Sequence, residues 1–328
     1  MVITKTPFRM SFFGGGTDMK EFYSEYGGSV LSTTFDKYCY VTVRHLPKFF
    51  KYTSEFVYSH IERVTELDDI QHPLIRNCMK YQKMHHIRLA YDADLPARTG
   101  LGTSSSFAVG MLNAFHALKG ELVDKKTLAN EAIYTERVLC NEAGGIQDQI
   151  AASYGGLNRI DMSADGYHVS PIVISNARKQ ELNRSLMLFF TGFSHMSSTV
   201  QQGVKEDFDS KIKRLQYMKS LVDEAQSILT SRGSLIDFGK LLHESWKIKR
   251  SLSKAVSTDS IDDMYTVALK AGATGGKLLG SGGGGFLLFY VEPDKQAYVK
   301  KALNDLMYVP FEFETGGTRI IYYKGEDF

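Results

Sequence analysis

A glycine-rich stretch that leads into hydroxyl side chains offers the clearest chemistry in this sequence. It reads Pro96-Ala97-Arg98-Thr99-Gly100-Leu101-Gly102-Thr103-Ser104-Ser105-Ser106. Apolar residues then recur at steps of three and four from Phe107 to Leu118, which predicts an amphipathic helix. The hydroxyls therefore lie at a helix N-terminus, where unpaired N–H groups and the helix dipole attract anions. The stretch alone also fits an ordinary capped loop. It is not a Walker loop, because no Gly-Lys-Ser/Thr closes it.

A second glycine loop follows the first predicted strand. The strand carries Arg9 and ends in Gly14-Gly15-Gly16-Thr17-Asp18. A carboxylate accepts two hydrogen bonds, so Asp18 could bind the hydroxyls of a sugar. Two structural interpretations stay open at this point: Asp18 could cap the following helix, and Arg9 could serve in a structural ion pair.

Acidic residues surround a predicted helix break in the middle of the chain. Glu136 precedes the break, and the segment Glu142-Ala143-Gly144-Gly145-Ile146-Gln147-Asp148-Gln149 contains it. Kinase sites bind Mg²⁺ with one or two carboxylates and the substrate phosphates, so Glu136 is a candidate ligand. Asp148 could accept a proton from a substrate hydroxyl or orient it. The alternative is a set of surface acids beside a glycine C-cap.

A third glycine-rich segment lies far along the chain, at Lys277-Leu278-Leu279-Gly280-Ser281-Gly282-Gly283-Gly284-Gly285. Four consecutive glycines can present bare backbone to a ligand, or they can allow another loop to pack closely. An apolar strand is predicted directly after them.

Composition limits the classes of function. Of the 328 residues, 43% are hydrophobic and 23% are charged, which is typical of a globular protein with room for two domains. The net charge of +2 gives no reason to expect nucleic acid or membrane partners. Cys39, Cys78 and Cys140 are too widely spaced to suggest a zinc site or a disulfide framework. The N-terminus lacks a signal-like apolar core and no apolar run could span a bilayer, so we expect a cytoplasmic protein.

Strands and helices alternate irregularly along the chain, which favours the α+β class. The charged stretch 175–184 marks the expected boundary between an N-terminal domain (1–180) and a C-terminal domain (181–328). Beyond it, long helical patterns run from about Ser197 to Arg232 and from Leu235 to Lys254.

Taken together, the three glycine-rich motifs resemble those of the GHMP kinases, the family of galactokinase, homoserine kinase, mevalonate kinase and phosphomevalonate kinase. All three occur in the family's order, and the resemblance covers nearly the whole chain. It implies a ribosomal protein S5 domain 2-like N-terminal domain and a ferredoxin-like C-terminal domain, with an active site in the cleft between them. It also implies ATP and Mg²⁺ as cofactors and a small molecule as the phosphoryl acceptor.

The resemblance assigns roles to individual residues. Asp148 matches the catalytic aspartate and Arg9 the basic residue paired with it, while Ser104 and Glu136 match the Mg²⁺ ligands. Residues that match the family's phosphate loop are Pro96 and the run from Gly100 to Ser106. The loop from Gly14 to Asp18 matches the acceptor loop of the sugar kinases. We also expect substrate contacts at Gly145, in the segment at the helix break, and at Gly283, in the third glycine-rich segment.

The acceptor loop bears on the substrate. Galactokinases have Gly-Glu-His-Thr-Asp where this chain has Gly-Gly-Gly-Thr-Asp18, so galactose is not the expected acceptor. Within the family, the motifs most resemble those of the D-glycero-D-manno-heptose 7-phosphate kinases, which phosphorylate the anomeric hydroxyl on the way to GDP-heptose for bacterial surface glycans. A sugar phosphate needs cationic contacts, and Lys249 and Arg250 are hypothetical ligands of the 7-phosphate.

Three alternatives remain. The fucokinase part of bifunctional fucose enzymes carries similar motifs, so an L-fucokinase or another free-sugar 1-kinase is the closest competitor. A kinase-like sensor that binds ATP and sugar without chemistry belongs to another class, and the intact set of Asp148, Glu136 and Ser104 argues against it. An isoprenoid or amino-acid kinase is disfavoured by the acceptor loop. The sequence does not indicate an oligomeric state.

Overall fold

The computed structural model describes residues 1–192, 208–253 and 255–325, with residues 208 and 209 described by their backbone alone. The beginning of the helix expected from Ser197 lies outside these residues. The strands are β1 (Val2–Phe13), β2 (Gly28–His45), β3 (Ser54–Val57), β4 (Ile61–Val64), β5 (Ile87–Ala93), β6 (Leu157–Ser163), β7 (Gly166–Pro171), β8 (Leu186–Phe190), β9 (Gly275–Leu278), β10 (Phe286–Tyr290), β11 (Met307–Val309), β12 (Phe313–Glu314) and β13 (Arg319–Tyr323).

The helices are α1 (Lys20–Tyr26), α2 (Pro73–Tyr81), α3 (Thr103–Leu118), α4 (Lys125–Ile133), α5 (Gln147–Tyr154), α6 (Asn176–Arg184), α7 (Phe208–Thr230), α8 (Ile236–Ser251), α9 (Asp259–Lys270) and α10 (Gln296–Ala302). A 3₁₀ turn covers Leu67–Asp69, and a π-helical turn, Tyr134–Leu139, continues directly from α4. Among the described residues, no helix is both long and apolar enough to cross a bilayer.

The first sheet is organised by two long strands, β1 and β2. Its main path runs β13-β1-β2-β5-β3-β4, and β6 and β12 also pair with β2, with β7 beside β6. Helix α3 packs across β1 and β2. A side chain at Gly110 would meet the Thr6 hydroxyl at 2.7 Å, so glycine allows the helix to approach the sheet closely.

Helix α3 differs from its prediction in one respect. The helix itself is confirmed, but it is not amphipathic, because every residue except Ser104 and Leu118 is buried. The sheet covers one face, and α2, α4 and α5 cover others. The exposure of Ser104 at the first turn is therefore an exception, and this side chain faces the cleft described below.

The second sheet is antiparallel, with the order β11-β8-β10-β9. Residues of α8, α9 and α10 form a core with it that includes Trp246, Ile261 and Val299. This arrangement, together with the first sheet, confirms the α+β class.

The chain crosses between the two sheets twice. It first passes to the second sheet at β8, shortly after the charged stretch 175–184, most of which forms α6 with Ser175 as its cap. It then returns to the first sheet, where β12 pairs with β2 and β13 pairs with β1. A single division at residue 180 accounts only for the first crossing.

Candidate active site

A cleft of about 460 Å³ lies between the two sheets. The first part of the chain contributes residues from β1, the acceptor loop, the phosphate loop, the π-helical turn and the start of α5. The second part contributes residues from α8, β9 and the third glycine-rich segment. The volume is typical of a small-molecule site.

At the centre of the cleft, Arg9 and Asp148 form a bidentate ion pair. The Arg9 Nε donates to Asp148 Oδ1 at 2.7 Å, and Nη2 donates to Oδ2 at 2.8 Å. The remaining terminal nitrogen, Nη1, donates to the carbonyl of Gly100 at 2.7 Å. Arg9 thereby joins the carboxylate to the phosphate loop and fixes its orientation, since a planar guanidinium binds a carboxylate in one plane.

Glu136 lies on the π-helical turn and is fully buried. Its Oε1 accepts a hydrogen bond from Ser104 at 2.8 Å, and its Oε2 accepts bonds from Ser105 at 2.7 Å and Gln149 at 2.5 Å. Burial raises the pKa of Glu136, and these donors oppose the shift. The wider π turn that carries Glu136 is a feature that often marks functional sites.

Asp18 is a second buried carboxylate that lines the cleft. Its Oδ1 accepts from the Gly16 N–H at 3.0 Å, and its Oδ2 accepts from the Gln147 side chain at 3.0 Å. Burial, and then the charge of Asp148, raise the pKa of Asp18. A Cβ at Gly145 would lie 1.8 Å from Asp18 Oδ2, so only glycine leaves room for this carboxylate.

The third glycine-rich segment packs against the phosphate loop. A Cβ at Gly280 would lie 2.3 Å from the Gly100 Cα, and one at Gly285 would lie 2.3 Å from the Thr99 carbonyl oxygen. The sequence left open whether these glycines present backbone to a ligand or allow another loop to pack closely. At Gly280 and Gly285 the structure shows close packing of another loop. Gly283 donates its N–H to the Val256 carbonyl at 3.2 Å and does not line the cleft.

The structure brings most of the predicted site residues to the cleft wall. They are Arg9, Gly15, Gly16, Asp18, Gly100, Gly102, Thr103, Ser104, Ser105, Glu136, Gly145, Asp148 and Lys249. It does not bring Gly14, Thr17, Pro96, Leu101, Ser106, Arg250 or Gly283 there.

Structural contacts account for several of the residues outside the wall. Thr17 bonds to the carbonyls of Gly14 and Ser29, which closes the acceptor loop, and Ser106 bonds to the Pro7 carbonyl. Arg250 forms an ion pair with Asp262 of α9.

Two family models match this chain. One, described as "GHMP kinases N terminal domain", covers residues 71–156, and the other, "GHMP kinases C terminal", covers residues 223–309. Together they account for just over half of the chain, and they include the phosphate loop, Glu136, Asp148 and the third glycine-rich segment.

The chain belongs to the GHMP kinase family. Membership makes it an ATP-dependent phosphotransferase, as the motifs predicted. A D-glycero-alpha-D-manno-heptose 7-phosphate kinase of Campylobacter jejuni is 28% identical over 92% of each chain. A solved structure of a D-glycero-D-manno-heptose 1-phosphate kinase from Bacteroides thetaiotaomicron is 25% identical, with a TM-score of 0.82 over 99% of this chain and 100% of that one.

A more partial relative is the L-fucokinase/L-fucose-1-P guanylyltransferase of Bacteroides fragilis. It is 27% identical over 63% of this chain, which corresponds to 22% of the relative's length. Sugars are therefore the acceptor class that these comparisons support for this GHMP kinase.

Lys277 is a cleft residue to which the sequence reasoning assigned no role. It lies on β9 and is only 2% exposed, and its ammonium donates to the Phe12 carbonyl at 2.7 Å. Lys249 lies nearby and donates to the carbonyls of Gly280 at 2.5 Å and Leu278 at 3.2 Å. Among the described residues, neither lysine has a carboxylate within ion-pair distance.

The surroundings of both lysines disfavour their charged forms. Burial, and then the charges of Lys249 and Arg9, hold the pKa of Lys277 well below its usual range. Burial and the charge of Arg9 lower the pKa of Lys249 to about 8, and nearby Asp18 opposes that shift. Buried charges are normally paired. This part of the cleft therefore carries cations that a bound anion would stabilise.

Proposed function

We propose that this GHMP kinase transfers the γ-phosphoryl group of ATP to the anomeric C1 hydroxyl of D-glycero-D-manno-heptose 7-phosphate. The product would be the 1,7-bisphosphate, in the biosynthesis of GDP-heptose for bacterial surface polysaccharide. The observation that carries the proposal is the pair of enclosed ammonium groups on Lys249 and Lys277, because an acceptor that already bears a phosphate supplies the anion they lack. Similarity to the Campylobacter jejuni relative over 92% of both chains supports the same acceptor.

The bidentate pair at the centre of the cleft is suited to handling the acceptor hydroxyl. Asp148 accepts the hydroxyl proton or orients the hydroxyl for attack, and Arg9 balances the charge of that carboxylate and holds its plane. Phosphoryl transfer passes through a loose, highly charged transition state, so positioning and charge stabilisation supply most of the catalysis.

The N-terminus of α3 is suited to the ATP phosphates. Gly100 and Gly102 have φ values of 82° and 72°, and the first N–H groups of the helix follow them directly. Ser104 and Glu136 provide hydroxyl and carboxylate oxygens, the donors that Mg²⁺ prefers, and they would hold this ion. When bound, Mg²⁺ would neutralise charge on the β- and γ-phosphates.

The acceptor loop is suited to the sugar hydroxyls. Asp18 still has lone pairs on both oxygens and lines the cleft. Gly15, Gly16 and Gly145 allow a ligand to approach the backbone closely. An enzyme that uses ATP and a sugar phosphate would act in the cytoplasm, and we propose that location.

A second candidate is a free-sugar 1-kinase such as an L-fucokinase. The 27% identity to the Bacteroides fragilis enzyme over 63% of this chain favours it. In that case Lys249 and Lys277 would bind the transferring phosphoryl group rather than a phosphate on the acceptor. The two candidates therefore differ in whether removing the acceptor's phosphate weakens its binding.

The test is to measure ADP release with ATP and Mg²⁺ across a set of acceptors. The set contains D-glycero-D-manno-heptose 7-phosphate, the 1-phosphate, unphosphorylated heptose, L-fucose, D-mannose and D-galactose. We expect a kcat/KM for the 7-phosphate at least 100-fold above that for free heptose, and a product whose ³¹P NMR spectrum shows a new anomeric phosphate. Preference for a free sugar would favour the second candidate. No ADP release with any acceptor would contradict both.

A further inference from the structure

Arg98 has an unusual backbone conformation within the phosphate loop. Its φ is 61°, in the left-handed region that side chains other than glycine rarely adopt. The conformation is held in place on both sides: the Arg98 N–H donates to the Thr103 hydroxyl at 3.3 Å, and Thr99 bonds to the Pro96 carbonyl at 2.8 Å. A glycine would fit this position with less strain, so the loop retains a side chain here at a cost to its own stability.

The guanidinium of Arg98 is exposed at the cleft wall. Two other cationic side chains of the cleft have protein partners. Arg9 forms an ion pair with Asp148, and Arg137 donates to the backbone carbonyls of Glu142 and Ala143. Among the described residues, none accepts a hydrogen bond from the Arg98 side chain or forms an ion pair with it. Such a guanidinium on a wall built for phosphates is available to a ligand.

The position of Arg98 indicates which ligand its guanidinium would bind. The Arg98 charge acts on His72, where it adds to burial in lowering the pKa of that residue. The His72 ring contacts Phe107 of α3, with ring centroids 5.8 Å apart. The Arg98 N–H also donates to the hydroxyl of Thr103, the first residue of α3. Arg98 therefore lies beside the N-terminus of α3, at the wall of the cleft.

We propose that the Arg98 guanidinium binds the phosphate chain of ATP and is a specificity residue for the triphosphate. Its two-pronged donor set matches phosphate oxygens, and the strained loop holds it beside the N-terminus of α3, where no described residue competes for it. This inference rests on the proposed placement of ATP at that helix end, but not on the identity of the acceptor.

The test compares Arg98→Gly, Arg98→Ala and Arg98→Lys with the wild type. Dissociation constants for ATP and adenosine are measured by competition against a fluorescent ATP analogue, with no acceptor present. We expect Arg98→Gly to weaken ATP binding at least tenfold and to change adenosine binding less than twofold. Arg98→Ala should weaken ATP equally and melt at a lower temperature than Arg98→Gly, because only glycine relieves the strained φ. Arg98→Lys should lose less ATP affinity than either.

An unchanged ratio of ATP to adenosine affinity in Arg98→Gly would overturn the inference. If that ratio is unchanged because ATP and adenosine lose affinity equally, the result would indicate a distorted loop rather than a missing phosphate contact. A wild-type protein that does not prefer ATP to adenosine would overturn it as well. Because these measurements use no sugar, failure of the acceptor assignment would appear separately, as wild-type protein that binds ATP normally but releases no ADP with the heptose phosphate.

Discussion

The two ends of the cleft satisfy their buried charges in opposite ways. At the end that we propose for the ATP phosphates (the phosphate end), the Glu136 carboxylate receives three hydrogen bonds from Ser104, Ser105 and Gln149, all from the first part of the chain. At the end that we propose for the acceptor (the acceptor end), Lys277 and Lys249 come from the second part of the chain, and among the described residues they reach only backbone carbonyls. The buried carboxylate at the first end is satisfied by protein donors, whereas the buried cations at the second end have no anionic partner among the described residues.

The difference indicates where substrate selection resides. A prebuilt network costs little to organise when ATP binds, and it serves any acceptor equally well. Cations without an anion are stabilised only by a ligand that carries the complementary charge, so they discriminate between acceptors. We therefore expect changes at the phosphate end to affect all acceptors alike, and changes at the acceptor end to affect phosphorylated acceptors most.

The largest effect is expected at Asp148, which serves both ends. Replacing Asp148 with Asn removes the proton acceptor and half of the pairing with Arg9, so kcat should fall by about 10²- to 10⁴-fold for every acceptor. The KM values should change much less. Steady-state kinetics check this, with Asp165→Asn in the β6–β7 loop as a control that should leave kcat unchanged. Substantial activity in Asp148→Asn would give Asp148 a structural role.

Lys277→Met should separate the two ends. Loss of a charge-assisted contact should raise the KM for the heptose phosphate by about 10- to 100-fold, with little change for ATP. The variant should also melt at a higher temperature without ligand, because a buried charge without a charged partner is costly. Kinetics and thermal melts check both points, with Lys270→Met on the exposed face of α9 as the control. Equal losses for phosphorylated and free sugars would remove the acceptor-phosphate role.

The pH dependence of acceptor binding should depend on Lys249. A lysine whose pKa is lowered to about 8 is charged below that pH and neutral above it. Between pH 7 and 9 the KM for the phosphorylated acceptor should therefore rise, up to about tenfold for one lost charge. Arg stays protonated throughout, so Lys249→Arg should flatten this profile. A wild-type profile without such a rise would contradict the assignment.

The same pKa shift has a consequence for stability. The pKa of Lys249 is lower in the folded protein than its ordinary value of 10.5, so the unfolded chain binds more protons between these two values. The free energy of unfolding of the ligand-free protein should rise with pH across that window, and Lys249→Arg should weaken the rise.

The smallest effect is expected at Ser105. Ser105→Ala removes one of three donors to Glu136 and should cost about 1–3 kcal/mol of stability, with a few-fold change in kcat that is the same for all acceptors. Ser106→Ala is the matched control, because its hydroxyl bonds to the Pro7 carbonyl and not to Glu136. Chemical denaturation and kinetics measure both. An acceptor-dependent change in Ser105→Ala would contradict the comparison between the two ends.

The sequence predicted those parts of the fold and site that leave local signals. Strand β1 and the position of α3 follow from periodicity and from the glycines that adjoin them. The motifs also identified the partners Arg9 and Asp148, although 139 residues separate them. Family resemblance, rather than spacing, brought these two residues together.

Other features depend on tertiary contacts and left no such signal. Lys277 lies in a four-residue strand rich in glycine, and nothing nearby indicates that its charge is buried. Lys249 and Arg250 are neighbours in sequence, but consecutive side chains on a helix point about 100° apart, so only one of them faces the cleft. The π-helical turn around Glu136 contains one residue more than an α-helical turn, and the spacing of the apolar residues does not indicate this extra residue.

The contact between Gly100 and Gly280 limits how this enzyme could be recombined with its relatives. Each glycine has a positive φ, and neither position has space for a methyl group against the other. A chimera that joins the first half of this chain to the second half of another sugar kinase would keep the loop of Gly100 but replace the loop of Gly280 that packs against it. Functional exchange of acceptor specificity should therefore require both glycine loops to come from the same parent.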